Sequence, residues 1–164
     1  MKVFGVTGWK NAGKTTLMER LVSELAGRGL SVSTLKHAHH GFDLDQEGKD
    51  SFRHRQAGAR EVLVASSARF AILHELRGAA EPPLEALLAR LSPVDIVLVE
   101  GWKRDRHPKL EVWRAATGAA LIAADDPTIR AVVSDDRPET DRPILPFADI
   151  AAIGDLALRE AAEL

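Results

Sequence analysis

The sequence predicts an α/β fold: three layers, with helices on both faces of a mostly parallel central sheet. Three observations carry that prediction. A β-rich run at residues 2–7 (KVFGVT) leads through a glycine-rich turn into residues 14–26, where Leu17, Leu21, Val22 and Leu25 share a helical face. Residues 30–35 (LSVSTL) then read as a second strand, and strands joined through a helix run parallel. Residues 94–99 (VDIVLV) are nearly all apolar, as a central strand covered on both faces requires.

The remaining elements follow in order. Gly27 and Gly29 stop the first helix. Residues 36–49 are polar, rich in His, Asp and Gly, and periodic in neither sense, so they read as a loop of functional length. Residues 50–57 form a short helix ending at Gly58. Residues 61–65 and 70–73 flank Ser66, Ser67 and Ala68 and predict a hairpin on the edge of the sheet. Pro82 and Pro83 suit a helix start, and residues 84–91 carry the matching apolar period. Residues 110–113, 120–123, 131–133 and 144–147 are short strand candidates, the proline-rich stretch 135–146 reads as a surface loop, and residues 149–163 as a closing helix. No repeat, low-complexity tract or linker breaks the chain, so residues 1–164 are expected to form one domain.

Composition narrows the chemistry. At 164 residues, 45% hydrophobic and 28% charged, the chain has the profile of a globular domain that needs no disulfide or metal staple. The absence of cysteine removes disulfides, thiolate zinc sites, iron–sulfur clusters and cysteine nucleophiles, and leaves metals only oxygen or imidazole ligands. No apolar run approaches the roughly 18 residues of a membrane span, and Gly8, Trp9, Lys10 and Asn11 cut the N-terminal apolar stretch short of a signal peptide. A cytoplasmic protein without a membrane partner is expected. The net charge of −2 is too balanced for bulk binding to nucleic acid. Residues 120–164 carry ten acids and four bases (−6), which leaves +4 on residues 1–119. That asymmetry suits an anionic ligand and equally a solvated surface with clustered charge.

Residues 8–15, Gly8-Trp9-Lys10-Asn11-Ala12-Gly13-Lys14-Thr15, match G-x-x-x-x-G-K-[ST] at every fixed position, between a predicted strand and a predicted helix. The glycines let the backbone wrap phosphate, the amides from Asn11 to Thr16 and the helix N-terminus supply partial positive charge, Lys14 reaches the terminal phosphates, and the Thr15 hydroxyl suits Mg²⁺. The chain thus reads as a P-loop NTPase-like nucleotide-binding domain. An acid at the carboxyl end of a buried strand completes such a metal site, because ligands of open α/β sheets bind at that edge. Glu100 closes the strand and takes this role in the Mg²⁺ or water shell, whereas Asp95 opens it and is left a surface or capping role.

Two further segments can overhang the same edge. His37, His39, His40 and His54 fall within 18 residues, beside Asp43, Asp45, Lys49, Asp50, Arg53 and Arg55. Three readings stay open: a nucleotide-responsive, anion-binding loop with Asp45 or Asp43 near Mg²⁺, a transition-metal site from His37 with His39 or His40, and a solvated loop. Residues 101–114 hold Lys103, Arg104, Arg106, His107, Lys109 and Arg114 against Asp105 and Glu111, which suits a second phosphorylated ligand, an acidic partner or plain solvent. Guanine selectivity needs a carboxylate after a late strand. Asp135, beside Ser134, and Asp125 are the candidates, and either serves equally as a cap or turn residue.

Taken together, GWKNAGKTT, KHAHH, D-x-D-x-x-GKDSFRHRQAGA, DIVLVEGWK and PKLEV resemble the molybdopterin-guanine dinucleotide biosynthesis protein B (MobB) family over residues 1–113 at least. The resemblance implies a homodimeric GTP-binding protein with weak GTPase activity. Such a protein assists a separate guanylyltransferase in attaching GMP to molybdopterin, with molybdenum insertion proteins as further partners. Carried over by position, residues 8–16 hold the phosphates, Thr15, Asp45 and Glu100 surround Mg²⁺, and residues 37–50 face the nucleotide or the pterin phosphate, with His37, His39, His40, Lys49 and Lys103 as contacts. Where related P-loop GTPases carry a second lysine after the first glycine, this chain has Trp9, with Lys10 one place later, which favours slow hydrolysis. Two other classes stay open: a P-loop kinase acting on a small metabolite, and a nucleotide-dependent metal-insertion chaperone.

Overall fold

The structure, a computed structural model, describes residues 1–38 and 41–163. The chain divides into two compact units, Met1–His37 with Leu84–Leu164, and Ala38–Pro83, where the sequence reads as one domain.

The larger unit is built on a sheet ordered β2-β5-β1-β6-β7-β8. Its strands are β1 (Lys2–Thr7), β2 (Val32–Lys36), β5 (Ile96–Glu100), β6 (Lys109–Val112), β7 (Ile129–Val133) and β8 (Ile144–Leu145). All pairings along this path are parallel. The period-2 alternation of side chains sends alternate residues to opposite layers. On one face Phe4, Val6, Ile96, Leu98, Leu110 and Val112 pack with Leu17, Leu21 and Leu25 of α1 (Lys14–Gly27) and Ile153 and Leu156 of α4 (Ile150–Glu160). On the other face Val3, Val97 and Val99 pack under Leu84 and Leu88 of α3 (Leu84–Leu88). Each of these fully buried aliphatic or aromatic side chains stabilises the fold by roughly 1.5–3 kcal/mol, which makes this sheet the rigid platform for whatever sits on its edge.

Ties at the strand ends set the register. Asp95 accepts from the Ser31 amide at 2.7 Å and the Ser31 hydroxyl at 2.6 Å, so the acid that opens the buried strand knots the start of β2 to the start of β5. Asp149 caps α4 by accepting from Ala152 N at 3.1 Å. The last residues depart from the expected helix: β9 (Ala162–Glu163) pairs antiparallel with Lys2 and Val3. Residues 120–123 also depart from the strand expectation. Residues Ile122–Ala124 form a 3-10 turn because Glu111 accepts the Ile122 and Ala123 amides at 3.0 and 2.8 Å and bends them away from any ladder.

The smaller unit holds α2 (Asp50–Gln56), β3 (Glu61–Ala65) and β4 (Phe70–His74). The hairpin forms as foreseen, but as its own two-stranded sheet and not on the edge of the main one.

Candidate functional site

The carboxyl ends of β1, β5, β6 and β7 lie along one edge of the sheet, and the phosphate-loop sequence leaves β1 there. Gly8 takes φ 143°, and a Cβ on it would stand 2.4 Å from the Val112 carbonyl, so the chain passes β6 only without a side chain. Asn11 (φ 65°) and Gly13 (φ 104°) turn the loop into α1. Gly13 is the N-cap and brings no capping side chain, and the first turn of α1 carries no acid. The leading amides of the 14-residue helix therefore have no intrahelical acceptor and point, with the positive end of the helix dipole, at the loop's concavity.

The loop is braced on both flanks. Trp9 Nε1 donates to the Ala120 carbonyl at 2.8 Å. Arg114, beyond β6, donates from Nε to the Ala12 carbonyl at 3.1 Å and lays its guanidinium 4.7 Å from the centre of the Phe147 ring. Lys14 Nζ donates to the Trp9 carbonyl at 2.8 Å, and the Lys103 ammonium stands 4.1 Å from the centre of the Trp9 ring. Burial pulls the Lys14 pKa below its ordinary value; the Glu100 carboxylate opposes this, and the charges of Lys103 and Lys36 add to it.

Glu100 is buried at 8% exposure and ends β5 opposite Val6 of β1 and Lys36 of β2. Lys36 Nζ lies 3.8 Å from Glu100 Oε2. The charges of Glu100, Lys103 and Lys36 all act on Lys14, so this edge carries three ammonium groups with the Glu100 carboxylate. Sequence reasoning missed Lys36. Its signal, a lysine at a strand end, gains meaning only from the parallel register that sets it beside Glu100.

The other expected site residues fall as follows. Thr15 and Thr16 are exposed on the first turn of α1. His37 extends the ladder one step, donating its amide to the Glu100 carbonyl at 2.9 Å, and its ring meets Trp102 edge to face at 5.1 Å. His39 and His40 lie outside the described residues. Among the described residues no group of three His, Asp or Glu side chains could hold a metal ion. Asp135 follows β7 and accepts from the Phe147 amide at 3.0 Å through Oδ1, while Ser134 is buried and accepts from the Asp136 amide at 3.0 Å.

Asp45 and Lys49 belong to the smaller unit. There Asp45 accepts from Ser51 Oγ at 2.7 Å and Arg55 Nε at 3.1 Å, so both carboxylate oxygens are committed; the Ser51 hydrogen bond is the first cause of its lowered pKa. Asp43 pairs with the same guanidinium at 2.9 Å, and Glu75 at 2.8 Å.

The basic run after β5 is not one exposed surface. Lys109 is 1% exposed and donates to the Asp105 carbonyl at 2.5 Å and to Thr128 Oγ1 at 2.7 Å, with Asp126 at 3.5 Å. The His107 ring occupies the space a Cβ on Gly5 would need, and burial pushes its pKa down to about 4. Both residues are struts that hold the loop, and the outward charge falls to Lys103, Arg104 and Arg106.

The geometry has clear relatives. The family model for Molybdopterin guanine dinucleotide synthesis protein B matches residues 3–135. The chain is 37% identical over 153 residues to a molybdopterin-guanine dinucleotide biosynthesis adapter protein of Haemophilus influenzae, covering 93% of this chain and 85% of that one. The adapter protein of Escherichia coli is 35% identical over 155 residues, covering 92% and 87%. Among solved structures, Bacillus subtilis MobB superposes with a TM-score of 0.76 at 25% identity over all of both chains. The MobB protein homolog from Bacillus stearothermophilus does so with a TM-score of 0.71 at 28% identity over 96% of each.

Proposed function

The chain belongs to the Molybdopterin guanine dinucleotide synthesis protein B family, and on that premise we propose that it is a GTP-binding accessory protein of molybdenum cofactor biosynthesis that assists formation of molybdopterin guanine dinucleotide. The carrying observation is the braced phosphate loop, with Lys14 and Lys103 both on Trp9 and Lys36 beside Glu100. Three ammonium groups beside one carboxylate leave a net positive edge, and the amides of α1 add to it, which suits a polyphosphate and not a neutral metabolite.

The donor set fits Mg²⁺. The Thr15 hydroxyl and the Glu100 carboxylate are hard oxygen ligands at the loop's own edge, and Mg²⁺, when bound, would neutralise phosphate charge there. The Glu100 charge acts on Lys14, so Glu100 would hold a water or a metal aquo ligand while Lys14 exchanges the Trp9 carbonyl for phosphate oxygens. Asp45 would have to give up Ser51 and Arg55 to join, so the metal set is assigned to Thr15 and Glu100. Asp135 keeps one oxygen on the Phe147 amide and offers the other to the N1–H of guanine. No described helix is long and apolar enough to cross a membrane. The protein acts as a homodimer with weak GTPase activity, delivering nucleotide to, or docking on, a guanylyltransferase and molybdenum insertion proteins. His37 and Lys103 are the described residues of the larger unit that would contact the pterin or a phosphate.

Calorimetric titration with GTP, GDP and ATP, with and without Mg²⁺, tests the reading. GTP binds most tightly with Mg²⁺, and Lys14→Ala abolishes binding while the circular dichroism spectrum is unchanged. Tighter binding of ATP overturns the GTP assignment, and unchanged affinity in Lys14→Ala overturns the phosphate-loop assignment.

A further inference from the structure

We propose that Trp9 and Lys103 form a reader of the terminal phosphate of a nucleoside triphosphate, Lys103 touching the phosphate and Trp9 positioning it. The inference rests on the nucleotide-binding reading above and assigns its triphosphate selectivity to a pair of residues.

One residue holds two cations. The Trp9 carbonyl takes the Lys14 ammonium at 2.8 Å, and the Trp9 ring faces the Lys103 ammonium at 4.1 Å. Trp9 is 42% exposed, yet its ring is tethered, because the indole N–H donates to the Ala120 carbonyl at 2.8 Å. It is a fixed plate at the rim of the loop. Lys103 is fixed from behind as well. Its amide donates to the Gly101 carbonyl at 2.9 Å, and the buried Lys109 ammonium gathers the carbonyls of Lys103 at 3.5 Å and Asp105 at 2.5 Å. Only the side chain beyond that anchored backbone is left to move.

The charges then decide what the pair reads. The Lys103 charge makes a positive charge on Lys14 less favourable, and an anion between the two removes that repulsion. A ring face and a carbonyl are weaker partners for an ammonium than a phosphate oxygen is, so both cations transfer to phosphate without loss. Lys36 is paired with Glu100 at 3.8 Å, whereas Lys103 stands over the Trp9 ring, and the Glu111 carboxylate whose charge it feels is already committed to the Ile122 and Ala123 amides, so the Lys103 ammonium is left to turn to phosphate. The loop amides and Lys14 are shared by di- and triphosphates. An extra ammonium beyond Lys14 discriminates in favour of the additional phosphate.

Calorimetry on the full chain with the β,γ-imido analogues of GTP and ATP, and with GDP and ADP, tests the pair. Lys103→Gln weakens triphosphate-analogue binding about tenfold and diphosphate binding less than about twofold, while Lys103→Arg keeps wild-type selectivity. Trp9→Ala reproduces the Lys103→Gln pattern, Trp9→Phe restores most of it by keeping a ring face, and Trp9→Ala combined with Lys103→Gln is no worse than either alone. The proposal is overturned if Lys103→Gln weakens di- and triphosphates equally or leaves triphosphate affinity unchanged. If wild type binds none of the four nucleotides, the phosphate-loop reading falls and takes the pair with it. If wild type binds, Lys14→Ala does not, and Lys103→Gln matches wild type, the pair alone falls.

Discussion

In the unit formed by Met1–His37 and Leu84–Leu164, Phe4, Leu17, Leu98 and Leu110 are sealed from water, and even Lys109 and Glu111 are buried between strands and loops. In Ala38–Pro83 the buried hydrophobic side chain among the described residues is Val62, while Phe42, Leu44, Leu63 and Phe70 are exposed at 72%, 80%, 59% and 68%. The cohesion of that unit comes from a charge. Arg55 spends its whole fork on Asp43, Asp45 and Glu75, which holds its pKa above the ordinary arginine value, and Arg77 donates to the Arg55 and Ala59 carbonyls. The difference separates two uses of charge. In the larger unit the apolar core supplies stability, and the buried charges of Lys109 and Glu111 fix the shape of two loops. In the smaller unit ion pairs stand in for a core.

The contrast is sharpest at Lys109. Replacing it by Met leaves Asp126 and two loop carbonyls without their cation, and removing one side of a buried polar cluster costs about 3 kcal/mol. Urea unfolding of Lys109→Met shows this as a single, earlier transition of the larger unit. A loss below about 0.5 kcal/mol would mean the buried charge is not integrated with the core.

His107 gives the next effect, with a defined pH window. Its pKa is about 4 in the folded chain and ordinary, near 6.5, in the unfolded one. Between these values the unfolded chain binds a proton that the folded chain refuses, so stability is full above about pH 6.5 and is lost as pH falls toward 4. Water still reaches part of the ring, so the loss is roughly 2 kcal/mol and not the full shift. Urea midpoints at pH 7 and pH 4.5 measure it, and His107→Gln flattens this window. The depressed carboxylates, among them Asp95 and Asp126, act only below their ordinary range. A pH dependence that survives in His107→Gln would place its origin elsewhere.

What the sequence shows and hides follows the same division. β1, the phosphate loop, α1 and the end of β5 at Glu100 are legible because local periodicity and glycine spacing dictate them. The turn at Ile122–Ala124 is not, because its cause, the Glu111 carboxylate, stands eleven residues before Ile122, on β6. β9 is two residues long and exists only through its pairing with Lys2 and Val3. Lys109 and His107 look like members of a basic surface run, since burial of a cation is invisible until Thr128 and the Gly5 backbone close over them. Asp45 reads as a metal ligand, and its tie to Arg55, ten residues on, is not visible in the sequence. Lys36 is an unmarked lysine until the β2–β5 register places it by Glu100. Local chemistry was readable, and pairings across the sheet were not.

The smallest global effect belongs to Arg55, and it is the most discriminating. Arg55→Met keeps length and helix propensity but removes the three carboxylate partners at once, leaving Asp43, Asp45 and Glu75 to repel one another. Were the smaller unit held by a core, the added apolar side chain would be tolerated. With Val62 the one buried residue among the described residues of that unit, it has no core to join. Amide exchange in Asp50–Gln56 and the β3–β4 hairpin therefore accelerates about tenfold or more, while exchange in β1 and β5 is unchanged. Arg55→Lys restores little, because one ammonium cannot satisfy three carboxylates in a fork geometry. Equal acceleration in β1 and β5 would mean that the two units share one cooperative core, and the contrast between them would then be one of surface composition alone.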